Sequence, residues 1–244
     1  MLKFYKDRIA INILAHDADN LIELNKIANG YMAVGIMAQH YAKIEDAIKV
    51  ANEFKKYSAI SVGLGDGSAS QWERCLEIAK ATNPDHVNQT YPTAGYAKGF
   101  LTATGYTGTI VNALVKPSDE IGKVVISTGP LSEKNIETLV DVSTAAAMIK
   151  EAKIDSVKFF PMHGTEKLDH MIAMAKAASK ARIDIFEPTG GINEDNIEAI
   201  VKACLDAGCK KVMPHIYSSI VEKETGKTKS ESVKKIFEIL SKIV

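Results

Sequence analysis

Eight short apolar runs, at residues 9–15, 31–37, 59–64, 86–89, 109–115, 156–160, 183–187 and 211–214, alternate with amphipathic stretches of helical period. Most are apolar on successive residues, the pattern of strands covered on both faces rather than on one. Helices are expected between them, for example over 44–57, 70–82, 144–152, 168–181 and 194–207. Asn193, ahead of Glu194-Asp195, is expected to cap the last of these, and Gly208 to end it. Eight strand-then-helix units in 244 residues predict an α/β chain folded as a TIM-type (β/α)8 barrel, one domain over 1–244. The alternative, a doubly wound open sheet, lacks the Gly-x-Gly-x-x-Gly turn that would support it. Residues 116–129 carry Pro117-Ser118, Gly122 and a further apolar run, Val124-Val125-Ile126. They predict a hairpin inserted after the fifth strand, on the face where barrels build their sites.

Composition narrows the class. Hydrophobic residues make up 46% of the chain and aromatic ones only 7%, which fits an aliphatic α/β core. Formal net charge is zero, with no long run of one sign, so neither a nucleic-acid track nor a membrane patch is expected. Cys75, Cys204 and Cys209 have no ligand spacing, and their odd number argues against a disulfide framework. No segment approaches the roughly 20 apolar residues of a membrane span, and a cytoplasmic location is expected.

The chemistry concentrates at the ends of the runs. Lys158 lies within Val157-Lys158-Phe159-Phe160-Pro161-Met162, where strand interiors reject an unpaired ammonium group. Either it snorkels to the barrel mouth, or burial makes it a neutral amine able to form a Schiff base with a carbonyl. On the next run, Glu187 precedes Pro188-Thr189-Gly190-Gly191-Ile192, whose glycines allow backbone N–H groups to approach an anion. Ser218 and Ser219 follow the eighth run, and barrel phosphate sites often use the loops after strands seven and eight. The loop after the third run, Gly63-Leu64-Gly65-Asp66-Gly67-Ser68, offers a second nest at Gly65, with Asp66 as acid/base group or helix cap. Gly226-Lys227-Thr228 ends like a phosphate loop, but Val221 stands where its first glycine is needed.

The Lys158-Phe159-Phe160-Pro161 strand and the Pro188-to-Ile192 turn together resemble the 2-keto-3-deoxy-6-phosphogluconate / 4-hydroxy-2-oxoglutarate aldolase superfamily. Over its length the chain is most similar to the divergent branch associated with D-glucosaminate breakdown. The resemblance implies a class I aldolase that cleaves a 2-keto-3-deoxy sugar acid to pyruvate and an aldehyde such as glyceraldehyde 3-phosphate or glyoxylate. It implies Lys158 as Schiff-base residue, and Thr189, Gly190 and Gly191 as phosphate holders. It also implies no cofactor, no metal and a homo-oligomer.

The chain departs from the family at the general base. The region 35–41 lacks the Glu and Arg found there in phosphogluconate aldolases. Glu187, expected to have a raised pKa through burial, is the first substitute, followed by His40 and His16. Two other readings stay open: a metal-assisted aldolase or phosphosugar epimerase on the same barrel, and a phosphometabolite-binding barrel without catalysis.

Overall fold

The computed structural model describes every residue from Met1 to Val244. In chain order the elements are β1 (Ile11–Ile13), α1 (Ala18–Ile27), β2 (Met32–Met37), α2 (Ile44–Phe54), β3 (Ala59–Gly63), α3 (Trp72–Thr82), β4 (His86–Val87), α4 (Tyr91–Ala103) and β5 (Ile110–Pro117). There follow β6 (Lys123–Val125), β7 (Leu139–Asp141), α5 (Val142–Glu151), β8 (Ser156–Phe159), α6 (Leu168–Lys180), β9 (Ile185–Pro188), α7 (Ile197–Asp206), β10 (Lys211–Val212), β11 (His215–Ile216) and α8 (Ser230–Ile243). Each of the eight apolar runs carries a strand.

The strands form one curled sheet in the order β10-β9-β8-β5-β4-β3-β2-β1-β11, every neighbouring pair parallel. The two ends of that order belong to one stretch of chain, 211–216. Bridges Ile9↔Val212 and Thr189↔His215 extend its pairing on both sides. Pro214 separates β10 from β11, because proline has no N–H for a ladder bond; its carbonyl still accepts from the Asn12 N–H at 3.0 Å. After β5 the pairing turns antiparallel, Lys116↔Val125 between β5 and β6 and Val124↔Val140 between β6 and β7.

Strand alternation fixes which side chains meet inside the curl. Phe159 and Phe186 are buried and stacked at 6.4 Å in the aliphatic layer shared with the helices. Their chain neighbours Lys158 and Glu187, which are register partners, therefore face the other way, into the curl. Asn12, Ser61, His86, Asn112 and His215 are buried as well. Helix boundaries follow the apolar period, with one correction at α7. Its N-cap is Asn196, while Asn193 builds the turn before it, its Oδ1 accepting from the Asp195 N–H at 2.9 Å. The short polar side chain bonds backbone two residues on and so delays the helix. Gly208 has φ +94° and follows the C-cap Ala207, as expected.

Candidate active site

Lys158 leaves β8 at the wall of a small cleft that is also lined by Met37, Gly65, Asp66, Thr189, Phe160 and Tyr217. It is 8% exposed, and its Nζ donates to Asn88 Oδ1 at 2.9 Å. Burial pushes its pKa down to about 8, against the opposing pull of the Glu187 and Asp66 charges. A free-amine population near neutrality follows at the cleft wall.

Beneath the lysine, Glu187 sits fully buried at the centre of a polar network. Its Oε1 accepts from His86 Nε2 at 2.9 Å, and its Oε2 from His215 Nε2 at 2.9 Å and Asn112 Nδ2 at 2.6 Å. Three donors on one carboxylate assign it as the anion and both imidazoles as Nε2–H tautomers. The network continues outward: Ser61 Oγ lies 2.8 Å from His86 Nδ1, and Asn112 Nδ2 donates to Asn88 Oδ1 at 2.9 Å. That last bond links the carboxylate to the acceptor of Lys158. The expectation of a raised Glu187 pKa is overturned. Burial alone would raise it, but the two histidines and their hydrogen bonds hold it well below the usual carboxylate range. For His215, burial and the Lys158 charge push the pKa down to about 3, so the ring is neutral.

The ligand atoms of His86, Glu187 and His215 lie within 4.8 Å of one another, a spacing a divalent ion accepts. Their present arrangement is nevertheless hydrogen-bonded, since each Nε2 spends its proton on Glu187 rather than offering a lone pair.

The other sequence-derived residues divide by position. Gly190 and Gly191 have φ +105° and +70°, and their N–H groups have no acceptor within the chain. A Cβ on Gly191 would stand 2.5 Å from the Gly164 N atom, so this backbone admits no side chain. Thr189 lines the cleft, its hydroxyl bonded to the Glu187 carbonyl at 3.2 Å. Ser218 is exposed beside the same loop, whereas the Ser219 hydroxyl is taken by the Ile192 carbonyl. Gly65, Asp66 and Gly67 are three consecutive left-handed residues at the cleft rim. His16 and His40 are exposed on the turns after β1 and β2 and do not line the cleft.

Sequence reasoning missed Asn12, Ser61 and Tyr217. Tyr217 lines the cleft, and its hydroxyl lies 3.1 Å from Asn12 Oδ1 and 3.3 Å from His215 Nδ1. The signal for the first two was present: Ile11-Asn12-Ile13 and Ile60-Ser61-Val62 each place one polar residue on the inward phase of an apolar strand.

The 2-dehydro-3-deoxy-phosphogluconate aldolase of Salmonella typhimurium is 39% identical over 244 residues, covering 100% of this chain and 99% of that protein. In structure, the chain is similar to TIM-barrel-type proteins. The 3-hexulose-6-phosphate synthase of Salmonella typhimurium has TM-score 0.60 and 16% identity over 96% of this chain and 100% of that one. A mutant tryptophan synthase α-subunit from Pyrococcus furiosus has TM-score 0.61 and 15% identity over 99% of this chain and 100% of that one. At those identities the two structures speak for the fold alone. The KDGP aldolase family matches residues 5–224, a span that includes Lys158, Glu187 and the double glycine, and the chain belongs to that family.

Proposed function

We propose that this protein is a class I aldolase that cleaves a 2-keto-3-deoxy sugar acid, phosphorylated at its far end, to pyruvate and an aldehyde. The observation that carries this reading is the buried Lys158 amine, its pKa brought down to about 8, facing a cleft in a KDGP aldolase family chain. Neutral Lys158 attacks the C2 keto group, and loss of water leaves an iminium. The iminium draws in the electrons of the C3–C4 bond as the C4 hydroxyl gives up its proton, releasing the aldehyde and leaving an enamine. Protonation at C3 and hydrolysis return pyruvate and the free amine. Glu187 stays ionised throughout, its charge offsetting the iminium above it. The Gly190 and Gly191 N–H groups, with Ser218, hold the distal phosphate and fix C4 over the cleft.

Two further readings accompany this one. We read the sheet as a closed (β/α)8 barrel forming one domain over 1–244, with β6 and β7 as an antiparallel insertion after the fifth barrel strand. The pairing of β10 with β9 and of β11 with β1 supports it. We also read the chain as a homo-oligomer. Leu131 and Ile136, 76% and 93% exposed on the insertion, support a contact with a second copy, and light scattering checks it.

The experiment for the activity is a coupled assay on 2-keto-3-deoxy-6-phosphogluconate, with lactate dehydrogenase reporting pyruvate. Release that persists in chelator is expected. Release that stops in chelator and returns with a divalent ion would shift the reading to a metal-assisted aldolase.

A further inference from the structure

The proposed cleavage needs a group that takes the C4 hydroxyl proton and later delivers a proton to C3. Glu187 cannot meet the substrate, because it is fully buried and both its oxygens are occupied. Lys158 is consumed in the Schiff base. The Thr189 hydroxyl is bonded to a backbone carbonyl. Two oxygen-bearing groups of the cleft lining remain, Asp66 and Tyr217. Asp66 is exposed at the rim and has no hydrogen-bonded partner to receive a proton. Tyr217 has one.

We propose that Tyr217 is the acid/base residue of this site, acting as the outer member of a Glu187–His215–Tyr217 proton relay. This deepens the Schiff-base reading and rests on it. The His215 ring donates Nε2–H to Glu187 at 2.9 Å, which leaves Nδ1 as an acceptor 3.3 Å from the Tyr217 hydroxyl. A buried carboxylate fixing an imidazole tautomer that in turn faces a hydroxyl is the order of groups that activates nucleophiles in hydrolases, here serving proton transfer. In the resting site the Tyr217 O–H donates to Asn12 Oδ1 at 3.1 Å, which holds the phenol in place, and the relay requires it to turn to His215 Nδ1.

The step balances. As C3–C4 breaks, its electron pair forms the enamine C2=C3 bond and neutralises the iminium nitrogen. The C4–OH proton passes to the Tyr217 oxygen while the phenol proton passes to His215 Nδ1. The resulting imidazolium, disfavoured in the resting site by burial and the Lys158 charge, forms as that charge is lost to the neutral enamine and is held against the Glu187 anion. In the second half the same protons run backwards: Tyr217 protonates C3 and recovers its proton from His215, and the iminium re-forms for hydrolysis. Burial pushes the Tyr217 hydroxyl well above the usual phenol range, so it exchanges protons in concert and does not stand as a phenolate.

Enamine formation from pyruvate uses the same base, so the test needs no sugar acid. Wild type and Y217F are incubated with pyruvate in deuterated buffer, and NMR follows exchange at the methyl group. Parallel samples are reduced with borohydride and mapped for the Lys158 adduct. The expected result is an adduct in both proteins and exchange slowed by about 100-fold or more in Y217F, the usual worth of a positioned acid/base. Exchange in Y217F comparable to wild type overturns the relay. So does D66N if it abolishes exchange while Y217F retains it, which assigns the role to Asp66. A wild type that forms no adduct at all overturns the Schiff-base reading instead. Should Y217F itself lose the adduct, fluorotyrosine at position 217 decides: its more acidic phenol changes the exchange rate if the relay holds and leaves it unchanged if not.

Discussion

Replacing Glu187 by glutamine removes a buried charge and turns one of its two acceptor oxygens into an NH2 group that faces a buried N–H donor. Glu187→Gln is therefore expected to lose stability by about 3 kcal/mol, the scale for breaking a buried charged network, seen as a lower urea midpoint at unchanged slope. An unchanged midpoint would mean the carboxylate is not ionised. Lys158 gives the second residue-scale prediction. Its amine reacts only when neutral, so the rate of iminium formation with pyruvate should rise with pH, about tenfold per unit below pH 8, and flatten above. Stopped-flow trapping measures it, and a rate falling across that range would contradict the assignment. Lys158 was legible in the sequence because an ammonium group within an apolar strand demands an explanation. The ionisation of Glu187 was not, since it depends on His86 and His215, which reach it from 101 and 28 residues away.

At the scale of elements, period and length placed the strands well, because a strand covered on both faces must be apolar throughout. The eighth run was cut short: Pro214 reads as an end, yet the chain resumes pairing at His215–Ile216 and there delivers a site residue. Polar residues inside short strands were also passed over, although Asn12 and Ser61 obey the alternation that turns Lys158 and Glu187 inward. The turn after β9 carries a prediction of its own. In Gly191→Ala the new Cβ would meet the Gly164 N atom at a residue already left-handed, so the loop must shift. KM for the phosphorylated substrate should rise about tenfold or more, the loss of one anion contact, while methyl exchange of pyruvate stays near wild type. Equal losses in both assays would mean that the turn supports Lys158 rather than the phosphate.

For the whole molecule, the join between the chain's two ends matters most. β1 pairs with β11, and α8 packs against α1 and α7 over that seam. Ile236 and Val233 of α8 are fully buried there. Ile236→Ala should cost about 3 kcal/mol through the cavity it leaves, lowering the melting temperature of the entire protein in one transition. A separate early transition confined to the C-terminal helix would argue against a single cooperative unit. The alternating pattern announced a parallel α/β sheet, while the antiparallel pairing of β6 with β7 brings together segments separated by residues 126–138, which no local period reveals. No helix is long and apolar enough to cross a membrane.

The central claim is the covalent role of Lys158, and borohydride reduction in the presence of pyruvate tests it most directly, read by intact mass and peptide mapping. A single pyruvyl adduct on the peptide carrying Lys158, absent from Lys158→Ala, is the predicted result. An unmodified protein that nevertheless releases pyruvate from the sugar acid would contradict it.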